Sequence, residues 1–437
     1  MKNKDLICEN LNIDSSGVLT FNGLNTLSLA QKYGTPLFLM DEDRIIKNIL
    51  TYKNAISSCF GDNGGVLYAS KALSFKQIYR IAKQLEIGID VVSSGEIYTA
   101  LSVGFPLENA FFHSNNKTDE DISYAIDNKI GYFVVDNSEE LISINKIAGE
   151  KGCVQKVLLR ITPGIDPHTY EAISTGKVDS KFGSAIETGQ AEEITKLALS
   201  LENITLCGFH CHVGSQVFDS EVYLKASQVM LEFVSDMYKK FGFVTKILDI
   251  GGGFGVRYIS SEPTIDIQKN LENVANFIKE TVKNLNIPMP KIMFEPGRSI
   301  VADAGLTLYT VGTVKRISGY KNYVSIDGGM ADNPRFALYR SNYTVVPAYN
   351  MNLEKDMLCS VVGRCCESGD IIQENVLMPS SIKRGDIIAC LTTGAYNYAM
   401  SSNYNRLAKP PIVMIKDGKD YLAVKRESLE DITKNDI

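Results

Sequence analysis

GVLYASKALSFKQIYRIAKQLEIGIDVVSSGEIYTALSVG, residues 65–104, switches twice between two periods. Val66–Ala69 is a short apolar run rich in strand formers. Beyond it Ile78, Ile81, Ala82 and Leu85 recur at helical spacing. GIDVVS (88–93) is a second apolar run, and Ile97, Ala100 and Leu101 form a second helical stripe. Strand–helix alternation of this kind predicts a parallel sheet. The pattern continues through AFFHS (110–114), GYFVVD (131–136), KVLLRI (156–161), LCGFHCHV (206–213), KILDIGGG (246–253) and KIMFEPG (291–297), which makes eight runs. The first four begin at residues 65, 88, 110 and 131. Such even spacing predicts a closed (β/α)8 barrel of the TIM type over residues 41–300, with an α/β fold class.

After residue 300 the texture changes. LYTVGTVKRI (308–317), YVSIDGG (323–329), CSVVGR (359–364), DIIQENVLM (370–378), GDIIACLTTG (385–394) and PIVMIKDGKDYLAVKR (411–426) are strand-like and joined by Gly, Asp and Asn turns. They predict a mostly antiparallel β-domain. GVLTFNG (17–23) and TPLFLMD (35–41) read the same way. The expected division is therefore a barrel at 41–300 inserted into a β-domain built from 1–40 and 301–437.

Composition narrows the function classes. The 437 residues carry a net charge of −6 with Lys and Arg scattered, so there is no basic stripe for nucleic acid and no basic amphipathic segment for a membrane. MKNKDLICEN lacks a secretory apolar stretch, and no run is long enough to span a bilayer. The nine cysteines form no spaced framework. A cytoplasmic protein is expected.

In a barrel the site lies at the C-terminal strand ends. Those ends carry Lys71, Ser93, Ser94, His113, Asp136, Arg160, His212, Gly251 to Gly253 and Glu295. An amine at a barrel rim is partly desolvated, which favours its neutral, carbonyl-reactive form; the alternative is a lysine whose stem packs while its head reaches water. CGFHCHVGSQ holds two His and two Cys, yet alternation sets His210 and His212 opposite Cys207 and Cys211. Four ligands on opposite faces cannot meet one ion, so no metal is expected and the cysteines are assigned to the helix-facing side. LDIGGGFG (248–255) can present bare N–H groups to a phosphate, but it is neither a P-loop nor a dinucleotide fingerprint. EPGR (295–298) offers a carboxylate and an arginine around a fixed turn, or a salt-bridged surface turn. TTGAYNYAMSSNYN (392–405) is too polar for a core strand and reads as a loop lining a polar site.

YASK, DVVSSGE, TPGIDPHTYEAISTGKVDSKFG, HCHVGSQ, DIGGGFG, EPGR, DGGMADNPRFALY, CESGD and TGAYNYAMSSNYN, in this order, resemble the signatures of the diaminopimelate decarboxylase family of fold type III pyridoxal-phosphate enzymes. The resemblance covers nearly the whole chain. It implies pyridoxal 5'-phosphate held by Lys71 as an internal aldimine, with Asp90, His212, Ser215, Gly253, Glu295, Pro296, Gly297, Arg298 and Tyr396 around it. Glu295 would keep the pyridine nitrogen protonated. Arg298, Arg335 and Tyr339 would grip the distal carboxylate of the substrate, Glu367 its distal ammonium, and Tyr396 would touch both cofactor and substrate. Cys366, not its neighbour Cys365, would return the proton. In the family CES comes from the partner subunit, which implies a homodimer with shared sites. The implied reaction takes meso-2,6-diaminopimelate to L-lysine and CO2, the last step of lysine synthesis. Ser70 and Phe336 depart from the commoner family pattern. Rival readings are a decarboxylase of ornithine, arginine or carboxynorspermidine, an alanine racemase, and a single-barrel carrier of the cofactor.

Overall fold

A computed structural model describes residues 6–165 and 180–437. Residues 166–179 of the TPGIDPHTYEAISTGKVDSKFG motif lie outside the described residues. The chain divides into two compact units, one of Ile49–Gly255 with Thr264–Gly297, the other of Met1–Asn48, Val256–Pro263 and Arg298–Ile437.

The first unit is the barrel. Its strands are β1 (Gly64–Ala69), β2 (Gly88–Val91), β3 (Ala110–Phe112), β4 (Tyr132–Val135), β5 (Gln155–Thr162), β6 (Ile204–His210), β7 (Ile247–Asp249) and β8 (Lys291–Phe294). Each pairs in parallel with the next, and β8 closes onto β1 through Phe294 opposite Val66. Closure removes the sheet edges. The intervening helices include α1 (Lys76–Gln84), α2 (Ser94–Leu101), α3 (Asp119–Asp127), α4 (Ser138–Glu150), α5 (Gln190–Ser200), α6 (Ser220–Phe241) and α7 (Ile267–Leu285). Several start on a side-chain cap just past a strand end. The Ser93 hydroxyl accepts from Glu96 N–H at 3.2 Å and Asn137 from Glu140 N–H at 3.0 Å, while Thr118 and Asp121 form a capping box. These caps fix the strand-to-helix turns from which the rim residues project.

The barrel is filled, not hollow. Leu67, Phe111, Val134, Leu158, Cys207, Ile247 and Met293, each from a different strand, form one buried layer. β2 contributes Gly88 at the same level, where a Cβ would stand 2.4 Å from Leu67 Cδ2. Cys207 therefore faces the lumen, which corrects the expected helix-facing placement. The cause is a bulge: the register of β6 on β5 shifts between Leu206 and Gly208. The extra residue lets Cys207 and His210 share the inner face although three positions separate them.

In the second unit Leu37–Asp41 lies between Gly305–Ile317, antiparallel, and Ile412–Lys416, parallel. Gly305–Ile317 also pairs antiparallel with Lys321–Ile326 and Ile387–Leu391, and Met357–Val362 pairs antiparallel with Ile371–Met378. Its core packs Leu37, Leu39, Leu306, Leu308, Ala389, Leu391, Val413 and Ile415. The strand Leu19–Phe21 joins a separate three-stranded sheet with Leu11–Ile13 and Leu24–Asn25.

Candidate active site

Parallel strands bring all their C-terminal ends to one rim. Lys71 sits in a short turn directly after β1, and its Nζ is 3.8 Å from Asp90 Oδ2 at the end of β2. The Lys71 side chain is 44% exposed and that of Asp90 0%. Neither Asp90 oxygen has a hydrogen-bond partner among the described residues. Burial pushes the Asp90 carboxyl up, opposed by His113 and by the Lys71 amine. The Glu295–Gly297 turn presses on the same strand end: Ala69 N–H donates to Pro296 O at 3.2 Å, and a Cβ on Gly297 would stand 2.8 Å from Ala69 Cβ.

Glu295 follows β8 and is buried. Nε2 of His113 lies 2.8 Å from its Oε1, and Nε2 of His210 lies 3.2 Å from its Oε2. Burial alone would raise this carboxyl, but His113 and His210 outweigh it and hold Glu295 well below the ordinary range. Burial lowers His210 to about 4, so at neutral pH it is an uncharged imidazole donating N–H to Glu295. Asp249 behaves oppositely: burial and the adjacent Glu295 keep it well above its usual value, while its Oδ1 accepts Gly251 N–H at 2.8 Å. Two adjacent carboxyls are thus pushed in opposite directions, Glu295 down and Asp249 up.

The glycine turn follows β7. Gly251 and Gly253 have φ of +76° and +104°. A Cβ on Gly253 would stand 2.1 Å from Gly214 O, so this turn lies directly against the loop that carries Ser215. His212 precedes that loop and is kept uncharged, first by burial and then by the Lys71 cation. Arg160, at the end of β5, packs its guanidinium 4.3 Å from the ring centroid of Phe182.

The other unit gathers a second set. Arg298 and Arg335 are both buried, on short helices Arg298–Val301 and Arg335–Tyr339. Arg298 Nη1 donates to Tyr258 Oη and Arg335 Nη1 to Tyr343 Oη, each at 2.9 Å. The Tyr396 ring lies 4.7 Å from the Arg298 guanidinium and 5.8 Å from that of Arg335. Tyr396 itself holds φ of +62°, a strained backbone for a non-glycine residue. Tyr339 ends the Arg335 helix, half-buried. Cys365 is buried and its thiol is pushed up to about 12 by burial and Asp370. Cys366 is exposed, its N–H donating to Asn405 Oδ1 at 2.8 Å. Glu367 is exposed beside it, accepting from Gly369 N–H at 3.1 Å.

The structure thus brings Lys71, Asp90, His212, Ser215, Gly253, Glu295, Pro296 and Gly297 to one barrel rim, and Arg298, Arg335 and Tyr396 into one cluster. Sequence reading missed that His113 and His210 hold Glu295, and it missed Asp249, Tyr258 and Tyr343 altogether. His113, His210 and Glu295 bring ligand-type atoms within 4.8 Å of one another, and here these atoms contact each other directly.

The rim fits pyridoxal phosphate. An amine meets the requirement of the aldehyde, a buried anion that of the ring nitrogen, and glycine-dense backbone that of the phosphate. The orphaned oxygens of Asp90 beside Lys71 mark a polar wall built to face a polar group. Residues 42–302 match the family model described as pyridoxal-dependent decarboxylase, pyridoxal binding domain. The diaminopimelate decarboxylase of Bacillus subtilis (strain 168) is 41% identical over 96% of this chain and 95% of its own. That of Staphylococcus aureus (strain COL) is 41% identical over 97% of this chain and 98% of its own. The crystal structure of diaminopimelate decarboxylase from M. jannaschii in co-complex with L-lysine superposes with a TM-score of 0.89 at 33% identity, covering 98% of each chain. With its cofactor rim and near full-length kinship both in view, the chain belongs to the diaminopimelate decarboxylase family of pyridoxal-dependent enzymes.

Proposed function

We propose that this chain decarboxylates meso-2,6-diaminopimelate to L-lysine and CO2. The buried pair Arg298 and Arg335 carries the choice of substrate. Arg335, buried among phenols with no carboxylate partner among the described residues, is costly without an anion to meet, and a bidentate fork suits a carboxylate. Ornithine has no distal carboxylate, so this cluster disfavours it. A racemase would want a cation, not Glu295, beside the pyridine nitrogen. Residues 41–300 serve as the cofactor domain and end in the substrate residue Arg298, and 1–40 with 301–437 carry the other substrate residues and the partner-subunit residues.

Pyridoxal phosphate, when bound, supplies the electron sink that accepts the pair left behind by departing CO2. Lys71 is the amine that attaches it. Glu295, kept anionic by His113 and His210, would hold the proton on the ring nitrogen. His212 would offer a flat uncharged face to the ring, and Ser215, Gly253 and the Pro296–Arg298 turn would hold the phosphate. Arg298, Arg335 and Tyr339 bind the distal carboxylate, Tyr396 orients the substrate, and Glu367 takes the distal ammonium. Cys366 delivers the proton, and its exposure beside buried Cys365 supports that choice. Cys366 and Glu367 serve the site of a partner in a homodimer, and the chain works in the cytoplasm; no described helix is long and apolar enough to cross a membrane.

The test is borohydride reduction of the holoenzyme, then peptide mapping and product analysis with diaminopimelate and with ornithine. The label is expected on Lys71 and lysine as the product. A label elsewhere, or faster turnover of ornithine, overturns the reading. Mixing inactive Lys71→Ala and Cys366→Ala chains is expected to regenerate activity, and a mixture that stays silent refutes the shared site.

A further inference from the structure

Tyr258 carries none of the roles assigned above, yet it lies at the centre of the arginine cluster. Its hydroxyl accepts from Arg298 Nη1 at 2.9 Å. Its ring centroid lies 5.2 Å from the Arg335 guanidinium and 5.9 Å from that of Arg298. Edge to face, at 5.4 Å and 89°, it packs on Tyr343, whose hydroxyl accepts from Arg335. One side chain therefore gives an oxygen to Arg298 and a π face to Arg335.

Its backbone is pinned from two directions. Tyr258 N–H and Ile259 N–H donate to Glu262 Oε2 at 2.6 and 3.2 Å, and Tyr258 O accepts from Thr344 N–H and Thr344 Oγ1 at 3.2 and 2.9 Å. The ring is 3% exposed, so it has little room to turn away. Arg335 makes no ion pair with a carboxylate among the described residues; its counter-groups are phenols.

We propose that Tyr258 is a specificity-determining residue: it holds Arg298 and Arg335 in register for an incoming carboxylate and stands in for that carboxylate until it arrives. The proposal rests on the reading of this cluster as the distal-carboxylate site. Burial by itself would raise the phenol, but Arg298 and Arg335 outweigh it and hold Tyr258 below its usual value, in keeping with an oxygen that accepts from a guanidinium. A phenol is a weaker hydrogen-bond anchor than a carboxylate, so it orders the cations without competing strongly for them.

The experiment compares L-lysine, which bears a carboxylate, with cadaverine, which does not, as competitors of the holoenzyme. In Tyr258→Phe the preference for L-lysine over cadaverine is expected to fall about tenfold, the value of one charge-assisted hydrogen bond. KM for diaminopimelate should rise by a similar factor, with the loss falling on KM far more than on kcat. Arg335→Gln is the control. If it loses the preference and Tyr258→Phe keeps it, the role of Tyr258 is overturned and the cluster reading stands. If Arg335→Gln keeps the preference as well, the cluster reading fails and the proposal with it. Tyr258→Leu guards against misfolding: if both Tyr258 variants lose the bound cofactor and its visible absorbance, the residue is packing alone and the proposal is overturned.

Discussion

Nε2 of His113 stands 2.8 Å from Oε1 of Glu295, and both side chains are buried at the barrel rim. A carboxylate so enclosed would ordinarily take up a proton. With His113 on one oxygen and His210 on the other it stays ionised. An anion fixed in advance would keep the proton on the ring nitrogen, so that the ring could accept the electron pair that CO2 leaves behind. Glu295→Gln keeps the shape and loses the charge. Its kcat is expected to fall by about 10²–10³, the usual cost of removing one such electrostatic contact. Steady-state kinetics at matched cofactor occupancy check this; a variant retaining most of its turnover would refute the assignment.

Much of this was legible in the chain because period and position carried it. Eight apolar runs ending in polar residues named the rim, and Lys71, His113, Arg160 and Glu295 emerge there. Alternation fails at one place. The bulge at Cys207–Gly208 inserts a residue, and nothing in LCGFHCHV marks it except a glycine that any tight turn would use. Which residues meet across the lumen was illegible for another reason: strand order fixes neighbours in the sheet, not partners across it. Glu295 follows β8 while His113 follows β3 and His210 ends β6, so their meeting depends on barrel closure. Tyr258 sits in a loop with no period at all, and only the folded unit sets it between two arginines.

Lys117 and Glu140 form a buried ion pair at 2.7 Å, with side chains 0% and 3% exposed. Lys117 Nζ also donates to Val134 O at 2.9 Å, and Glu140 Oε2 accepts Asp136 N–H at 3.4 Å. The pair therefore ties the exit of β3, which carries His113, to the exit of β4. Removing one partner leaves a buried charge alone. Lys117→Met is expected to cost about 3–5 kcal/mol, and the double variant Lys117→Met, Glu140→Leu much less. Urea midpoints at constant slope decide it. Additive losses in the double variant would show that the two charges do not depend on each other.

Glu96 on α2 accepts Val92 N–H at 2.8 Å, and burial, with Asp90 nearby, raises its carboxyl to about 7. The folded state therefore holds a proton that the unfolded chain releases near the ordinary glutamate value. The stabilising contribution is fully present below that value and is lost as pH rises through about 7. Glu96→Gln keeps the amide acceptor and removes the titration. Its melting temperature is expected to change less across this interval than that of the parent, and to exceed it above the raised value. Parallel melting curves in the two proteins would contradict the protonated carboxyl.

Gly208 lies at the bulge of β6, where a Cβ would stand 1.8 Å from Ile247 O and 2.8 Å from Ile247 C on β7. The contact is with backbone in a paired strand, so it cannot be relieved by a rotamer change. Gly208 sits opposite both Ile247 and Leu158, and it is here that the bulge returns β6 to register after Leu206. Gly208→Ala must either part β6 from β7 or undo the bulge. The second course would turn His210 out of the lumen and leave Glu295 with one imidazole. A destabilisation of about 3 kcal/mol is expected from the overpacking. A loss of kcat in the fraction still folded is expected as well, because the carboxylate would regain protons that His210 now holds off. Thermal melting together with kcat per mole of bound cofactor separates the two effects. A stable variant with parental turnover would show that β6 can reach His210 without the bulge.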